Sequence, residues 1–93
     1  MSGEPIKAFG LVIKQLRNTL GLSQEALADE ANLDRTFISQ LETGTKQPSL
    51  TTIFRLAAAL QVEASDLLQR VEASLGTDKT TRSNERLGPG QSQ

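Results

Sequence analysis

The sequence contains neither cysteine nor histidine. Without cysteine there is no disulfide and no thiolate-bound metal. Without histidine a zinc site would have only carboxylate ligands, and nucleophilic triads that use histidine are excluded. The acidic residues are scattered along polar faces, and no glycine-rich phosphate-binding loop is present. We therefore expect no metal, no cofactor and no enzymatic activity.

Long apolar runs are also absent from the 93 residues. No stretch approaches the ~20 apolar residues that span a bilayer. The N-terminus lacks the basic and then apolar layout of a signal peptide. These absences predict a soluble, cytoplasmic chain without a membrane partner, long enough for one small domain.

Neither sign of charge dominates, because 10 basic and 11 acidic residues give a net charge of -1. This balance weighs against a nucleic-acid binder, since such domains are often basic overall. Binding responds to the local charge of one face, however, and net charge reports mainly on solubility and non-specific attraction.

Apolar residues recur at helical spacing, which predicts an all-α fold of five helices and no strand. The helices are expected at residues 5–20, 24–31, 35–43 and 50–60 and from about residue 64. The first carries an apolar stripe of Phe9, Val12, Ile13, Leu16 and Leu20. The later inward-facing positions are expected to include Leu27, Ala31, Phe37, Ile38 and Leu41.

Capping residues mark the ends of these helices. Pro5 suits a first helical position, where the missing N–H costs nothing. Three residues are placed to cap helix N-termini through their side chains: Ser23, Asp34 and Ser49. Three others tolerate the left-handed conformation that ends a helix: Gly21, Asn32 and Gly44.

The composition changes after the fifth helix. Residues 77–93 contain one large apolar residue, Leu87, among polar residues, glycines and one proline. Such a segment buries too little surface to offset its ordering entropy. We expect a flexible N-terminus at 1–4, a folded domain at 5–75 and a disordered tail at 76–93.

Two short helices, 24–31 and 35–43, are joined by the tight connection 32–34. This spacing is typical of a helix-turn-helix, which places its second helix in the DNA major groove. A plain helical bundle with short loops has the same spacing. Fold alone does not decide between the two.

The residue pattern goes further than the spacing. The segments Leu22–Ala28, Asn32–Gly44, Pro48–Leu50 and Leu56–Leu60 closely resemble the Cro/cI-type (XRE-like) helix-turn-helix family. The resemblance implies a lambda-repressor-like fold and double-stranded DNA as the partner. The segment from Asp34 to Ser39 looks particularly like the controller proteins of restriction–modification systems. This chain has Asn32 where the family usually has glycine, and it is less basic around Lys46.

The third helix carries the residues expected to read bases. Arginine matches guanine O6 and N7, glutamine pairs with adenine N6 and N7, and threonine offers a methyl group to thymine. In the family, the positions of Arg35, Thr36 and Gln40 are the usual base readers, often with Ser39 beside them. A solvated polar face, which any surface helix has, is the alternative.

Other polar residues are expected to contact phosphate. The first N–H groups of a helix favour an anion, and Gln24 would add a donor there. The remaining phosphate candidates are Ser23, Thr43, Thr45 and Lys46. The resemblance also implies an ion pair between Arg17 and Glu42, which would be structural and would hold the third helix in register.

One such helix reads only a few base pairs, so regulators of this kind usually pair across a palindrome. We expect a homodimer through the fourth and fifth helices, with Leu67, Leu68, Val71 and Leu75 at its interface. The alternative is that Leu67 and Leu68 complete the core and that Val71 frays. The alternative function is an antitoxin-like interaction module that neutralises a partner protein. Such a module would bind its partner through the fifth helix or the tail, and the tail of this chain has few apolar anchors.

Overall fold

The computed structural model describes residues 5–76, and this range contains five α-helices and no strand. They are α1 (Pro5–Thr19), α2 (Gln24–Ala31), α3 (Arg35–Thr43), α4 (Leu50–Ala59) and α5 (Ala64–Ser74). The predicted five-helix, all-α fold is confirmed. The segments predicted to be a flexible N-terminus (1–4) and, apart from Gly76, a disordered tail (77–93) lie outside the described residues.

Most of the predicted helix ends are built as expected. The Oγ of Ser23 accepts a hydrogen bond from the Ala26 N–H at 3.0 Å, and the Oγ of Ser49 accepts one from Thr52 at 3.1 Å. The left-handed ends are present at Gly21, Asn32 and Gly44, with φ of 73°, 59° and 81°. These caps satisfy backbone groups that would otherwise lack partners.

The side-chain cap predicted for Asp34 was wrong. Asp34 has the extended backbone of an N-cap residue, but its carboxylate makes no capping hydrogen bond. The side chain is exposed, while its neighbour Leu33 packs against the core. Packing of Leu33, rather than a carboxylate cap, therefore fixes the entry into α3.

All five helices contribute to one hydrophobic core. In it, α1 packs against α3 and α5, α2 against α3 and α4, and α4 against α5. The large side chains with the least exposure are Ile13, Leu27, Ile38, Leu41, Leu56 and Leu67. Their burial supplies the main favourable free energy of folding.

Two helix ends differ from the prediction. Helix α1 ends at Thr19, so Leu20 lies beyond it with 41% of its surface exposed, outside the apolar stripe. Helix α4 ends at Ala59, followed by buried Leu60 and by Gln61 at φ 64°. Gln61 takes the positive φ that a glycine usually supplies, and the sequence therefore does not predict this turn.

Among residues 5–76, no helix is long and apolar enough to cross a membrane.

Candidate nucleic-acid interface

The connection between α2 and α3 is short, and two of its backbone N–H groups are hydrogen-bonded to α2. The Leu33 N–H donates to the Ala28 carbonyl oxygen at 2.8 Å, and the Asn32 N–H donates to the Asp29 carbonyl oxygen at 3.2 Å. Leu33 packs against the core. Because backbone bonds and packing both hold this connection, α3 has a defined orientation relative to α2.

Helix α3 has one buried side and one exposed side. Ile38 and Leu41 have no exposed surface, and Phe37 packs partly buried against the core. On the other side, Arg35 and Thr36 are exposed and Ser39 and Gln40 are half-buried. The structure thus brings the four predicted base readers onto one side of one helix. Their side chains can donate to and accept from base edges in a major groove.

The first residue of α3 contacts the first residue of α2. Arg35 Nη1 donates to Gln24 Oε1 at 3.3 Å. Gln24 Nε2 in turn donates to Glu42 Oε1 at 3.0 Å. The sequence predicts a phosphate contact for Gln24. It does not predict that the Gln24 amide also contacts Arg35 at the start of α3 and Glu42 near its end.

Arg17 and Glu42 form the expected ion pair between α1 and α3. Arg17 Nε lies 2.7 Å from Glu42 Oε2, and Nη2 lies 3.1 Å from Oε1. Arg17 Nη1 also donates to the Leu22 carbonyl oxygen at 2.8 Å. The side chains are 11% and 3% exposed. The hydrogen bond to Glu42 raises the pKa of Arg17, burial opposes the rise, and the Glu42 charge adds to it.

The predicted phosphate residues at the end of α3 also lie together. The Thr43 and Thr45 hydroxyls are 3.2 Å apart, and each donates to the Gln40 carbonyl oxygen at 3.2 Å. Lys46 follows them in the exposed loop. Ser23 precedes α2, where its oxygen caps that helix. The arrangement places two threonine hydroxyl groups and one cation at the end of α3.

No group of three or more histidine, cysteine, aspartate or glutamate side chains among residues 5–76 is placed to hold a metal ion. Helix α2 exposes carboxylates, whereas the exposed side of α3 carries donors, acceptors and the cation Arg35, with Lys46 in the loop beyond it. That side of α3 suits a polyanion with base edges.

Comparison with known proteins agrees with this geometry. Residues 13–67, more than half of the chain, match a family model described as helix-turn-helix. The chain belongs to the helix-turn-helix family. Control protein C.BamHI of Bacillus amyloliquefaciens is 44% identical over 61 residues, which cover 64% of this chain and 75% of that protein. With such relatives, this helix-turn-helix protein is a transcriptional regulator of the XRE type.

Two solved structures share the helix-turn-helix architecture. The restriction–modification controller protein C.AhdI from Aeromonas hydrophila has a TM-score of 0.65 and 40% identity, covering 67% of this chain and 94% of its own. The C.Esp1396I controller tetramer, solved in complex with its natural 35-base-pair operator, has a TM-score of 0.73 and 26% identity. That match covers 80% of this chain and 97% of the controller.

A cation that the sequence did not single out lies beside the helix-turn-helix. Lys7 of α1 is exposed, and its stem packs against Gly44 just after α3. A Cβ added to Gly44 would lie 2.8 Å from Lys7 Cγ. No local motif indicates this position, because it depends on the packing of α1 against α3.

The predicted dimer interface of this helix-turn-helix protein needs correction. Leu67 has no exposed surface and Val71 is 6% exposed, so both belong to the chain's own core. They complete the packing of α5 within that core, and neither has enough exposed surface to form a dimer interface. Leu75 packs partly buried against the same core, and Leu68 is 41% exposed. Of the four predicted interface residues, Leu68 has the most exposed surface.

Helix α4 instead exposes two large apolar side chains that are not among the predicted interface residues. Leu50 is 68% exposed and Phe54 is 58% exposed. They are four residues apart and share one side of α4. The signal was present, because α4 is apolar on more than one side, which a helix with a single buried stripe is not.

Proposed function

We propose that this protein is a sequence-specific DNA-binding regulator that acts as a homodimer on a palindromic operator, with α3 in the major groove. One observation carries the proposal: Arg35, Thr36, Ser39 and Gln40 share the accessible side of α3, whose other side is locked into the core. A rigid helix with base-reading groups on its free side is what major-groove recognition requires. Such a role places the chain with the DNA, in the cytoplasm.

Groups at the start of α2 and at the end of α3 would hold the DNA backbone. At the start of α2 are Ser23 and Gln24, where the first N–H groups of the helix favour an anion. At the end of α3 are Thr43, Thr45 and Lys46, and we add Lys7, whose stem packs beside them. Contacts to phosphate fix the orientation of a protein on the duplex without reading the sequence.

We infer the homodimer from the small number of cations near the proposed DNA contacts. The net charge of each copy is -1, so the chain as a whole adds no electrostatic attraction to DNA. A single module of this size also buries too little surface for tight specific binding. We assign the interface to the apolar α4–α5 surface, defined as Leu50, Ile53, Phe54 and Leu68. Leu68 and Ile53 line one groove. Leu50 and Phe54 are exposed at positions three residues before and one residue after Ile53, on the neighbouring side of α4. The C.Esp1396I tetramer on its operator supports assembly of several copies.

Among helix-turn-helix regulators, we propose a controller of the restriction–modification type, since C.BamHI and C.AhdI share 44% and 40% identity with this chain. In this proposal, regulation follows the concentration of dimer and uses no ligand or cofactor. The antitoxin-like alternative would bind its partner through the fifth helix or residues 77–93, and the latter lie outside the described residues. No feature of residues 5–76 favours it, and we propose no enzymatic role.

Selection of bound duplexes from a random DNA pool, at a fixed salt concentration, tests the proposal. We expect a palindromic consensus whose half-site centres are about 10 base pairs apart, because two copies would face the same side of the helix. The Arg35→Ala variant serves as the control and should lose one symmetric pair of preferred bases. Failure of the wild-type protein to enrich any sequence would overturn the proposal.

A further inference from the structure

A continuous chain of hydrogen bonds connects α1 to the first residue of α3. Arg17 holds the Glu42 carboxylate at 2.7 and 3.1 Å, and that carboxylate accepts from Gln24 Nε2 at 3.0 Å. The side-chain amide oxygen of Gln24, Oε1, then accepts from Arg35 Nη1 at 3.3 Å. We call these four residues the Arg17–Arg35 relay. It ends on the side chain that the proposed function makes the main base reader.

The charges in the relay fix which way the Gln24 amide faces. Arginine is a donor only and an ionised carboxylate is an acceptor only. The amide must therefore turn its NH2 group to Glu42 and its oxygen to Arg35. The reverse orientation would place a carbonyl oxygen against a carboxylate and an NH2 group against a guanidinium. Glu42 thus decides whether Gln24 presents an acceptor or a donor to Arg35.

The relay is rigid at one end and exposed at the other. Glu42 is 3% exposed and Arg17 is 11% exposed, with a further bond from Arg17 to the Leu22 carbonyl oxygen. Arg35 is exposed. A free arginine samples many rotamers and loses that freedom when it binds a base. Holding its guanidinium in advance reduces this loss and restricts the bases that it can reach.

The Gln24 amide has one further group to offer. Of its two Nε2 hydrogens, one is used by Glu42, and the other has no acceptor among residues 5–76. That second N–H can donate to a DNA phosphate while the amide oxygen still holds Arg35. A single side chain would then join a backbone contact to the orientation of a base reader.

We propose that Gln24 and Glu42 are positioning residues that set the base selectivity of Arg35, through an amide orientation imposed by the Glu42 carboxylate. The inference rests on the proposed function, because it assumes that Arg35 reads a base. It differs from a simple phosphate role for Gln24, which would change affinity for all DNA sequences alike.

The decisive quantity is a discrimination ratio. It is the dissociation constant for an operator substituted at the two base pairs that Arg35→Ala identifies, divided by that for the selected operator. We would measure it by fluorescence anisotropy at one salt concentration. The variant is Gln24→Met, which keeps the length of the side chain and removes its polar end. Gln69→Met, at an exposed position on α5, is the matched control.

We expect Gln24→Met to lower the ratio by about five- to tenfold, the scale of losing one ordinary hydrogen bond at an exposed site. In a background of Arg35→Ala it should change the ratio no further, because the two residues act in one relay. Gln69→Met should leave the ratio unchanged. Equal loss of affinity on both duplexes, with the ratio intact, would overturn the role of Gln24.

Glu42→Gln tests the orienting carboxylate separately. It keeps the side chain's volume and removes the charge that fixes the amide. We expect the same loss of discrimination as for Gln24→Met, with urea unfolding confirming that the variant is folded. If Gln24→Met lowers the ratio while folded Glu42→Gln does not, the role of Glu42 is overturned. If the wild-type protein discriminates between no duplexes at all, the proposed function fails first.

Discussion

Gly10 in α1 lies in direct contact with the backbone of Leu41 in α3. A Cβ added to Gly10 would collide with the Leu41 carbonyl oxygen, and it would lie 3.1 Å from the carbonyl carbon of Glu42. Both neighbours are backbone atoms, which cannot turn aside as a flexible side chain can. This close approach sets how α1 sits on the last turn of α3, and so where Glu42 meets Arg17.

Gly10→Ala should therefore destabilise the fold, by about 2–3 kcal/mol, because the added methyl group forces two helices apart. Urea unfolding followed by circular dichroism measures the change. Gly21→Ala is the comparison: it has a φ of 73° and open space around it, so its cost is conformational only, about 1 kcal/mol. Equal costs at the two positions would contradict the tight contact.

Arg35→Ala should weaken binding to the selected operator by about 1–3 kcal/mol and relax one base preference. The fold should stay intact, since Arg35 is exposed and its one hydrogen bond within residues 5–76 is to Gln24. Anisotropy titrations on operator and random duplexes at equal salt measure both effects. An equal loss on the two duplexes would show that Arg35 contacts phosphate instead of a base.

Lys46→Ala should weaken binding to all DNA sequences alike. A cation that neutralises one phosphate releases about one counterion, so the slope of log affinity against log salt should become shallower by about one unit. Titrations at four or more salt concentrations give the slope. Lys14, exposed on α1, provides a matched Lys14→Ala control outside the proposed interface. An unchanged slope for Lys46→Ala would remove it from the phosphate contacts.

Phe54→Lys should shift the protein toward monomer and weaken operator binding, because it places a charge in the apolar α4–α5 surface. Sedimentation velocity at tens of micromolar measures the oligomeric state. Leu11→Lys is the control, since Leu11 is 48% exposed but lies on α1. The proposed interface fails if Phe54→Lys leaves the sedimentation of the protein unchanged.

Removing one partner of the Arg17–Glu42 pair should cost more than replacing both. Arg17→Met leaves a carboxylate that is 3% exposed without its cation, which we expect to cost about 3 kcal/mol. Arg17→Met combined with Glu42→Leu should recover part of that loss, because no buried charge remains. Urea unfolding of the two variants decides. A double variant less stable than Arg17→Met would show that the pair stabilises beyond its own charges.

Local signals in the sequence predicted most of this fold. The caps at Ser23 and Ser49, and the left-handed positions at Asn32 and Gly44, act over four or five residues and could be read directly. The cap predicted for Asp34 was wrong because a residue suited to capping need not cap when its neighbour Leu33 fixes the backbone by packing.

The site was predictable where it lies on one element and not where elements meet. The side of α3 that carries Arg35 and Gln40 follows from helical spacing alone. The contact of Gln24 with Arg35 and the position of Lys7 depend on how separate helices pack. Leu67 and Val71 were misassigned to the interface because spacing shows that they are apolar but not which of two surfaces covers them.

Methylation interference on the selected operator tests the central claim most directly, because a methyl group on guanine N7 blocks contacts in the major groove only. For the wild-type protein, the account predicts interference at symmetric guanines about one helical turn apart. Arg35→Ala should lose interference at one symmetric pair while keeping the rest. Binding that tolerates methylation at every guanine of the operator, or an identical pattern for Arg35→Ala, would contradict recognition through α3.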